Sequence, residues 1–381
     1  MSDSAPAPEA DRAEGAPHPR ETTLLLGQET AERAFLAAFA SGRLHHGWLI
    51  TGARGIGKAT LAWRIARFLL AAPAGGDGGL LAETAPAPPP ERLEIDPDHP
   101  VCKRIAALSE PRLFLLRRGW DEGRKRLKAA ITVDEVRRLK SFFQLSAADG
   151  ARRVVIVDCA DELNINAANA LLKLLEEPPK GAVLLLVSHR PSGLLPTLRS
   201  RCRELRCNPL EAGQIARAME AAGIAPPEDP VALAELAGGS VGEAVRLAGL
   251  DGIRNYARIV SLLEKLPELD RPAALALAES AAGRDRQQEA RFDMILRLLD
   301  LFLARTARCG VGLPPPAEAA PGEAALIRRL APGPDAARLW AGLQQELGVR
   351  ARRGRAVNLE PAALIFDMLL RIRDGAARLA G

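Results

Sequence analysis

Residues 51–60, TGARGIGKAT, contain the spacing G-x-x-x-x-G-K, which is typical of loops that bind phosphate. Gly52, Gly55 and Gly57 have no Cβ, so the backbone amide groups of such a loop can approach an anion closely. Lys58 supplies a cation for the terminal phosphates, and the helix that follows adds its positive end. The pattern predicts a site for the phosphates of a nucleotide.

The metal-binding half of this loop is altered. The residue after the lysine usually carries a hydroxyl that helps to hold Mg²⁺, but here it is Ala59. Thr60 lies about 100° further round the helix and is not an obvious substitute. We therefore expect that phosphate binding can survive here without efficient turnover.

The apolar stretch RVVIVD ends in an acidic residue, Asp158. Asp158 stands where an acid would manage the metal ion, but the next residue is Cys159 instead of a carboxylate that polarises water. Asp161 and Glu162 are close in sequence, yet they lie beyond the strand and are expected to face solvent or to cap the next helix. The interpretation that we favour for Asp158 is a strand-end acid without a metal.

The elements around these residues alternate between strands and helices. Apolar runs at residues 48–51, 113–116, 153–158 and 182–188 predict buried strands, and amphipathic patterns between them predict helices, one of them at 131–145. Because the strands are apolar throughout, the pattern indicates a parallel sheet that is covered on both faces. Beyond about residue 208 we expect only helices.

This organisation predicts an α/β fold followed by an all-α region. The expected divisions are a disordered tail, a P-loop α/β domain with a Gly/Pro-rich insertion, a small helical domain and a C-terminal helical domain. Their predicted bounds are 1–20, 21–207 with the insertion at 72–100, 208–272 and 273–381.

Composition limits the choice of function. The net charge of +5 comes from 52 basic and 47 acidic residues, which permits contact with nucleic acid or an acidic partner without singling out either. Five scattered cysteines without a C-x-x-C pair argue against a zinc site and for a reducing cytoplasm. No apolar run approaches the roughly 20 residues that cross a bilayer. We therefore expect a cytoplasmic protein without a metal.

Three segments carry a resemblance to a known family: LHHGWLITGARGIGKATLA, VVIVDCADELNINAANALLKLLEEPP and LLPTLRSRCRELR. Together they resemble the clamp-loader subunits of bacterial DNA polymerase III, within the AAA+ ATPases. The resemblance covers residues 24–250 and is weaker afterwards, although AVNLEP near the C-terminus is similar to the family's collar. It implies an AAA+ P-loop domain, a helical lid domain and a helical collar.

The chain departs from the motor subunits of this family at three places. Ala59 replaces the hydroxyl, Cys159 replaces the glutamate, and Gly242 stands where the motors have an arginine that senses the nucleotide. These departures resemble the structural member of the family, which does not hydrolyse ATP. The resemblance therefore implies no required cofactor, with residual ATP or ADP binding at most.

The resemblance also gives a role to the segment RSRCRE. Ser200, Arg201 and Cys202 match the family's arginine-finger segment, whose arginine acts on the nucleotide of a neighbouring subunit. The implied partners are the gamma/tau motor subunits and the delta subunit, and indirectly the sliding clamp and primed DNA. The alternative from the residues alone is that the arginines at 199–206 form a basic surface.

Two other functions stay open. An active ATPase of the same family would need Thr60 and Asp161 in rearranged catalytic positions. A DNA-binding module would use RRGWDEGRKRLK at 117–128 and the arginines near 199–206. The interleaved acids and the lack of clustered aromatic residues favour a solvated charged face for the first of these segments.

Overall fold

A computed structural model of the chain describes residues 8–72, 90–144, 152–225, 227–283 and 285–380. Two compact units are present. The first comprises the residues up to Gly223 together with Ser240–Gly242, and the second comprises Ile224–Gly239 and Glu243–Gly381. The finer division into lid and collar domains stays a prediction.

The described residues of the first unit form seven strands. They are β1 (Gly47–Thr51), β2 (Leu113–Leu116), β3 (Trp120–Asp121), β4 (Arg126–Leu127), β5 (Arg153–Asp158), β6 (Ala182–Ser188) and β7 (Arg203–Arg206). Five of them form a parallel sheet in the order β2-β5-β6-β1-β7. The four predicted apolar strands are β1, β2, β5 and β6, so the predicted parallel sheet is confirmed.

Seven helices accompany these strands. They are α1 (Glu29–Ala40), α2 (Lys58–Ala71), α3 (Pro100–Ala106), α4 (Val133–Gln144), α5 (Ile165–Glu176), α6 (Pro196–Arg199) and α7 (Ala212–Ala221). The predicted helix at 131–145 is α4. Helices α4 and α5 share a hydrophobic cluster with alternate residues of β5 and β6, and α2 packs against the same two strands. Because side chains alternate across a strand, this packing requires strands that are apolar at every position.

The sequence pattern missed two strand features. Strand β7 has the sequence RELR, in which only Leu205 is buried, because β7 is the last strand of the sheet and the charged residues blunt its open edge. Strands β3 and β4 form a short antiparallel hairpin inside the segment that was predicted to be a charged face. Residues 73–89 of the predicted insertion lie outside the described residues.

The N-terminal segment corrects the prediction of a disordered tail. Residues 1–7 lie outside the described residues, but residues 8–20 are placed by buried polar contacts. The Asp11 carboxylate is fully buried, pairs with His18 at 3.1 Å and accepts a hydrogen bond from Arg117. The His18 ring meets the indole of Trp63 edge-on, with 5.8 Å between ring centroids. A composition-based prediction cannot detect such pairs, because it counts charges without locating their partners.

The remaining helices complete an all-α region. They are α8 (Pro230–Ala237), α9 (Val241–Gly249), α10 (Gly252–Leu263), α11 (Arg271–Glu279), α12 (Arg286–Gly310), α13 (Glu323–Leu330), α14 (Pro334–Ala356) and α15 (Pro361–Ala380). No described helix is both long and apolar enough to cross a membrane. The predicted class, α/β followed by all-α, is confirmed.

A buried ion-pair network holds part of the second unit together. The Glu323 carboxylate is fully buried, and it accepts hydrogen bonds from the Tyr256 hydroxyl and the Arg305 guanidinium, each at 2.6 Å. The backbone N–H of Ala319 donates a third bond to the same carboxylate at 2.7 Å. Arg305 also pairs with Glu235 at 3.0 Å. One acid thereby connects α10, α12 and the turn before α13.

Replacing Glu323 by Ala should destabilise this unit strongly, because Arg305 then loses its main buried partner. We expect a loss of about 3–5 kcal/mol in the free energy of unfolding, measured by urea denaturation with circular dichroism. Glu279→Ala is the matched control, since Glu279 is an exposed helical acid. An equal, small effect of both substitutions would contradict the role of the network.

Candidate functional site

The glycine loop lies where a phosphate loop requires it, between the end of β1 and the start of α2. Gly52, Gly55 and Gly57 all have positive φ angles, of 138°, 78° and 97°, which favour glycine. Lys58 is the first residue of α2. The predicted order of strand, loop and helix is therefore present, while nucleotide binding by these residues stays a prediction.

The backbone of Gly242 contacts this loop at Gly55. The N–H of Gly242 donates a hydrogen bond to the carbonyl oxygen of Gly55 at 3.2 Å. A Cβ on Gly55 would lie 2.3 Å from Oγ of Ser240, and a Cβ on Gly242 would lie 3.4 Å from Cα of Gly55. The segment Ser240–Gly242 therefore rests directly on the loop. Gly242 is the position where the family's motors carry an arginine.

The N-terminal segment reaches the same place. Cβ of Ala13 lies 3.9 Å from the position that a Cβ on Gly242 would take. Arg67 of α2 donates hydrogen bonds to the carbonyl oxygens of Arg20 and Thr22, each at 3.0 Å, which ties the segment to the helix after the loop. Residues of three separate stretches thus meet at the glycine loop.

Lys58 points back into the loop. Its side chain is buried, and its ammonium group donates to the carbonyl oxygen of Ala53. Burial lowers the pKa of Lys58 to about 8. Among the described residues it forms no ion pair within 4.0 Å, so the carboxylate of Asp158 is not a direct partner.

Asp158 and Cys159 are both buried at the end of β5. Burial raises the pKa of Asp158 to about 7, with further contributions from the nearby Asp11 and Glu162, and its Oδ2 has no hydrogen-bond partner among the described residues. Burial likewise raises the pKa of the Cys159 thiol to about 12. At neutral pH the Cys159 thiol is protonated, so it is not equipped to activate an attacking water.

The two acids that follow do not cap the next helix, contrary to one of the two expectations for them. Asp161 accepts hydrogen bonds from Oγ of Ser188 at 2.8 Å and from the backbone N–H of His189 at 2.5 Å. Glu162 pairs with Arg118 at 2.8 Å. The helix cap is Asn164, whose side chain accepts from the N–H of Ala167. Asp161 therefore joins the ends of β5 and β6.

Sequence reasoning overlooked His189, which directly follows β6. Burial lowers the pKa of His189 to about 4, and the nearby Lys58 lowers it further, so the ring is neutral at neutral pH. The only sequence signal was its position after an apolar strand. Asp158 is paired with Val187 in the parallel sheet, so His189 lies two residues beyond this pair.

Arg201 lies just after α6, and its guanidinium is partly exposed. It forms an ion pair with Glu176 at 2.8 Å and donates to the carbonyl oxygen of Thr197 at 3.1 Å. Ser200 is exposed, with its hydroxyl donating to the same carbonyl, whereas Cys202 packs against the hydrophobic cluster of the sheet. The three residues of the predicted finger segment thus form one turn at the surface.

The sheet separates this turn from the glycine loop. The carbonyl oxygen of Arg201 is 3.1 Å from a Cβ position on Gly47, where β1 begins, whereas the loop starts after Thr51, where β1 ends. Five strand residues span roughly 16 Å. Arg201 therefore lies beside the start of β1, and Lys58 lies beyond its end. At this distance Arg201 cannot contact the glycine loop of its own chain.

The basic segment at 117–128 offers few free charges. Four of its six basic side chains pair with acids: Arg117 with Glu9 and Asp11, Arg118 with Glu162, Arg124 with Asp121, and Lys128 with Glu135. Paired cations have little charge left for a phosphate backbone. The arrangement favours the predicted charged face over a DNA-binding module.

The fold and the loop define the class of this protein: an α/β protein with a parallel sheet and a P-loop, followed by a helical region. Among solved structures, a gamma subunit-related protein from Thermotoga maritima aligns with 90% of this chain and 99% of its own, at 16% identity and a TM-score of 0.36. The Thermotoga maritima RuvB branch-migration motor aligns with 86% of this chain and 92% of its own, at 15% identity and a TM-score of 0.38.

Comparison with known sequences identifies proteins that are similar to this chain. Residues 27–211 match the family model described as DNA polymerase III, delta subunit. The delta′ subunit of Pseudomonas aeruginosa is 39% identical over 62% of this chain and 65% of its own length; the Bacillus subtilis delta′ subunit is 30% identical over 59% and 60%. The tau subunit of Escherichia coli is 28% identical over 72% of this chain and 42% of its own.

The chain is therefore similar to DNA polymerase III clamp-loader subunits, with matches among their delta′ and tau members. The aligned part spans slightly less than two thirds of the length of these delta′ relatives. The resemblance inferred from the three sequence segments is confirmed at this level.

Gly55→Ala tests the contact on the loop. Gly42 has a similar φ of 68° with open space around its Cβ position, so Gly42→Ala should cost only the backbone strain of about 1–2 kcal/mol. Gly55→Ala should cost about 1–3 kcal/mol more, because its Cβ collides with Ser240 and Gly242. Adding Ser240→Ala should recover part of this difference in urea unfolding followed by tryptophan fluorescence. Equal losses for the two glycine variants would show that Ser240–Gly242 does not rest on the loop.

Proposed function

We propose that this protein is the delta′ subunit of a clamp loader: a cytoplasmic, non-hydrolysing member of the ring that presents Arg201 to a neighbouring motor subunit. The observation that carries the proposal is the separation of Arg201 from its own glycine loop by the length of β1. An arginine beside the start of β1 can contact a neighbouring subunit, but it cannot reach the glycine loop of its own chain.

The state of the glycine loop supports the absence of turnover. Ala59 offers no hydroxyl to Mg²⁺. Cys159 replaces the general base, and its thiol is buried and protonated. The backbone of Gly242 contacts Gly55. A motor subunit would have its arginine at the position of Gly242, with the nucleotide between that arginine and the loop. We expect no required cofactor and at most weak residual binding of ATP or ADP.

The chemistry of Arg201 fits a role in trans. Guanidinium groups stay charged and match the oxygens of a phosphoryl group in transfer, and such fingers contribute roughly 10³ to 10⁵ in rate in well-studied systems. The ion pair with Glu176 is partly exposed, and exposed pairs contribute only about 0–1 kcal/mol. The finger can therefore exchange Glu176 for a neighbour's phosphate at little cost.

The proposed partners follow from the family. The gamma/tau motor subunits would receive the finger, the delta subunit would stand in the same ring, and the sliding clamp and primed DNA would be contacted through the assembly. The C-terminal helices would form the collar that holds the ring together. An active ATPase of the same family is the alternative that the first experiment below distinguishes.

The purified chain should show no Mg²⁺-dependent ATP hydrolysis, with or without primed DNA, because the hydroxyl and the carboxylate that turnover needs are missing. Phosphate release is measured beside a Lys58→Ala variant, which identifies a contaminating activity because contamination is insensitive to it. Turnover that disappears in Lys58→Ala would mean that this chain is itself a motor.

Arg201→Ala should lower the DNA-stimulated ATPase rate of the reconstituted ring by about 10-fold or more, because one motor site loses its finger while other sites continue. Arg199→Ala is the matched control: Arg199 is an exposed arginine two residues away. Assembly is checked by gel filtration, so that a loss of rate is separated from a loss of the complex. If both variants keep the wild-type rate in an intact ring, Arg201 is not a finger.

A further inference from the structure

Three possible metal ligands converge where β5 and β6 end. Cys159 follows β5, Asp161 lies in the 3-10 turn after it, and His189 follows β6. The two strands are paired, with Asp158 opposite Val187, so Cys159 lies one residue and His189 two residues beyond this pair. One ligand atom from each of the three residues lies within 4.8 Å of the other two.

The imidazole of His189 has an unused nitrogen in this cluster. Its Nδ1 is buried and has no hydrogen-bond partner among the described residues. A buried polar atom without a partner carries a cost of about 1–3 kcal/mol, which a ligand on that atom would remove. Cys159 is only 5% exposed, so its thiol is largely shielded from water, whereas Asp161 and His189 are partly exposed.

The carboxylate of Asp161 is already fixed in place. Its Oδ1 accepts from Oγ of Ser188 at 2.8 Å and from the N–H of Arg190 at 3.2 Å, and its Oδ2 accepts from the N–H of His189 at 2.5 Å. Each carboxylate oxygen has two lone pairs, so Oδ2 keeps one for another partner. Such bonds orient a ligating carboxylate in metal sites.

Charges of both signs surround the cluster. Asp158 and Asp161 have no ion-pair partner within 4.0 Å among the described residues, whereas Arg117 pairs with Asp11 and Arg118 pairs with Glu162. The cations near His189 are Lys58, Arg54 and Arg190, and the ammonium group of Lys58 is turned to the carbonyl oxygen of Ala53. A divalent ion would be offset by the Asp161 carboxylate and the Cys159 thiolate.

We propose that Cys159, Asp161 and His189 bind one divalent transition-metal ion, with Zn²⁺ as the ion that this mixture of sulfur, oxygen and nitrogen donors suits best. Ligands of a tetrahedral zinc site lie about 2.0–2.3 Å from the ion and hence roughly 3.5 Å from each other, so small side-chain rotations complete the site. Binding displaces the thiol proton of Cys159 to solvent, and water takes the fourth position. This site differs from a four-cysteine zinc module and does not depend on the proposed function.

The test uses the full-length chain, freed of metal with a chelator and titrated with Co²⁺ and then Zn²⁺. We expect one Co²⁺ per chain with the absorption of a thiolate-to-cobalt charge transfer, which Zn²⁺ abolishes by displacement. Cys159→Ser should remove that absorption, and His189→Gln or Asp161→Asn should weaken binding at least 10-fold. Cys207→Ser is the matched control, because Cys207 is another buried thiol near the glycine loop, and it should leave the absorption unchanged.

Three results would overturn the proposal. They are the absence of saturable binding to folded wild-type protein, an absorption that persists in Cys159→Ser, and an absorption that disappears equally in Cys207→Ser. Circular dichroism of each variant shows whether it is folded. If Cys159→Ser fails to fold, the His189→Gln variant decides, since it keeps the thiol and loses the unpartnered nitrogen.

Discussion

The hydrogen bond from Gly242 to Gly55 is the contact on which the functional account depends. It brings two stretches of backbone together at the glycine loop. Gly55 has no room for a side chain here, because a Cβ on it would lie 2.3 Å from Oγ of Ser240. A Cβ on Gly242 would make only ordinary contacts, the nearest at 3.4 Å from Cα of Gly55.

The parallel sheet determines which residues lie beside the glycine loop and which lie away from it. Parallel strands place all of their carboxyl ends at one edge, so the glycine loop, Asp158 and His189 lie together, while the turn that carries Arg201 lies at the other edge. A chain with this geometry can lose nucleotide turnover at the glycine loop and keep the turn that carries Arg201 intact. Under the proposed function, that separation would let a subunit without turnover of its own still present Arg201 to a neighbour.

The sequence predicted the four apolar strands because burial on both faces of a parallel sheet requires apolar residues at every position. It also predicted the order of strand, glycine loop and helix, which depends on residue types and spacing alone. It failed for β7, where an edge strand needs only Leu205 to be buried, and for residues 8–20, where order depends on the partners of Asp11. His189 and the cap Asn164 were missed, since their roles arise from neighbours that are distant in sequence or from local hydrogen bonds.

The central claim is that the glycine loop is closed by its own chain and holds nucleotide weakly at best. The most direct measurement is isothermal titration of the full-length protein with Mg²⁺ and a slowly hydrolysed ATP analogue, together with ADP. The account predicts no saturable binding below the millimolar range for either ligand. Stoichiometric binding at micromolar concentration that is lost in Lys58→Ala would contradict it, because the loop would then be open to phosphate.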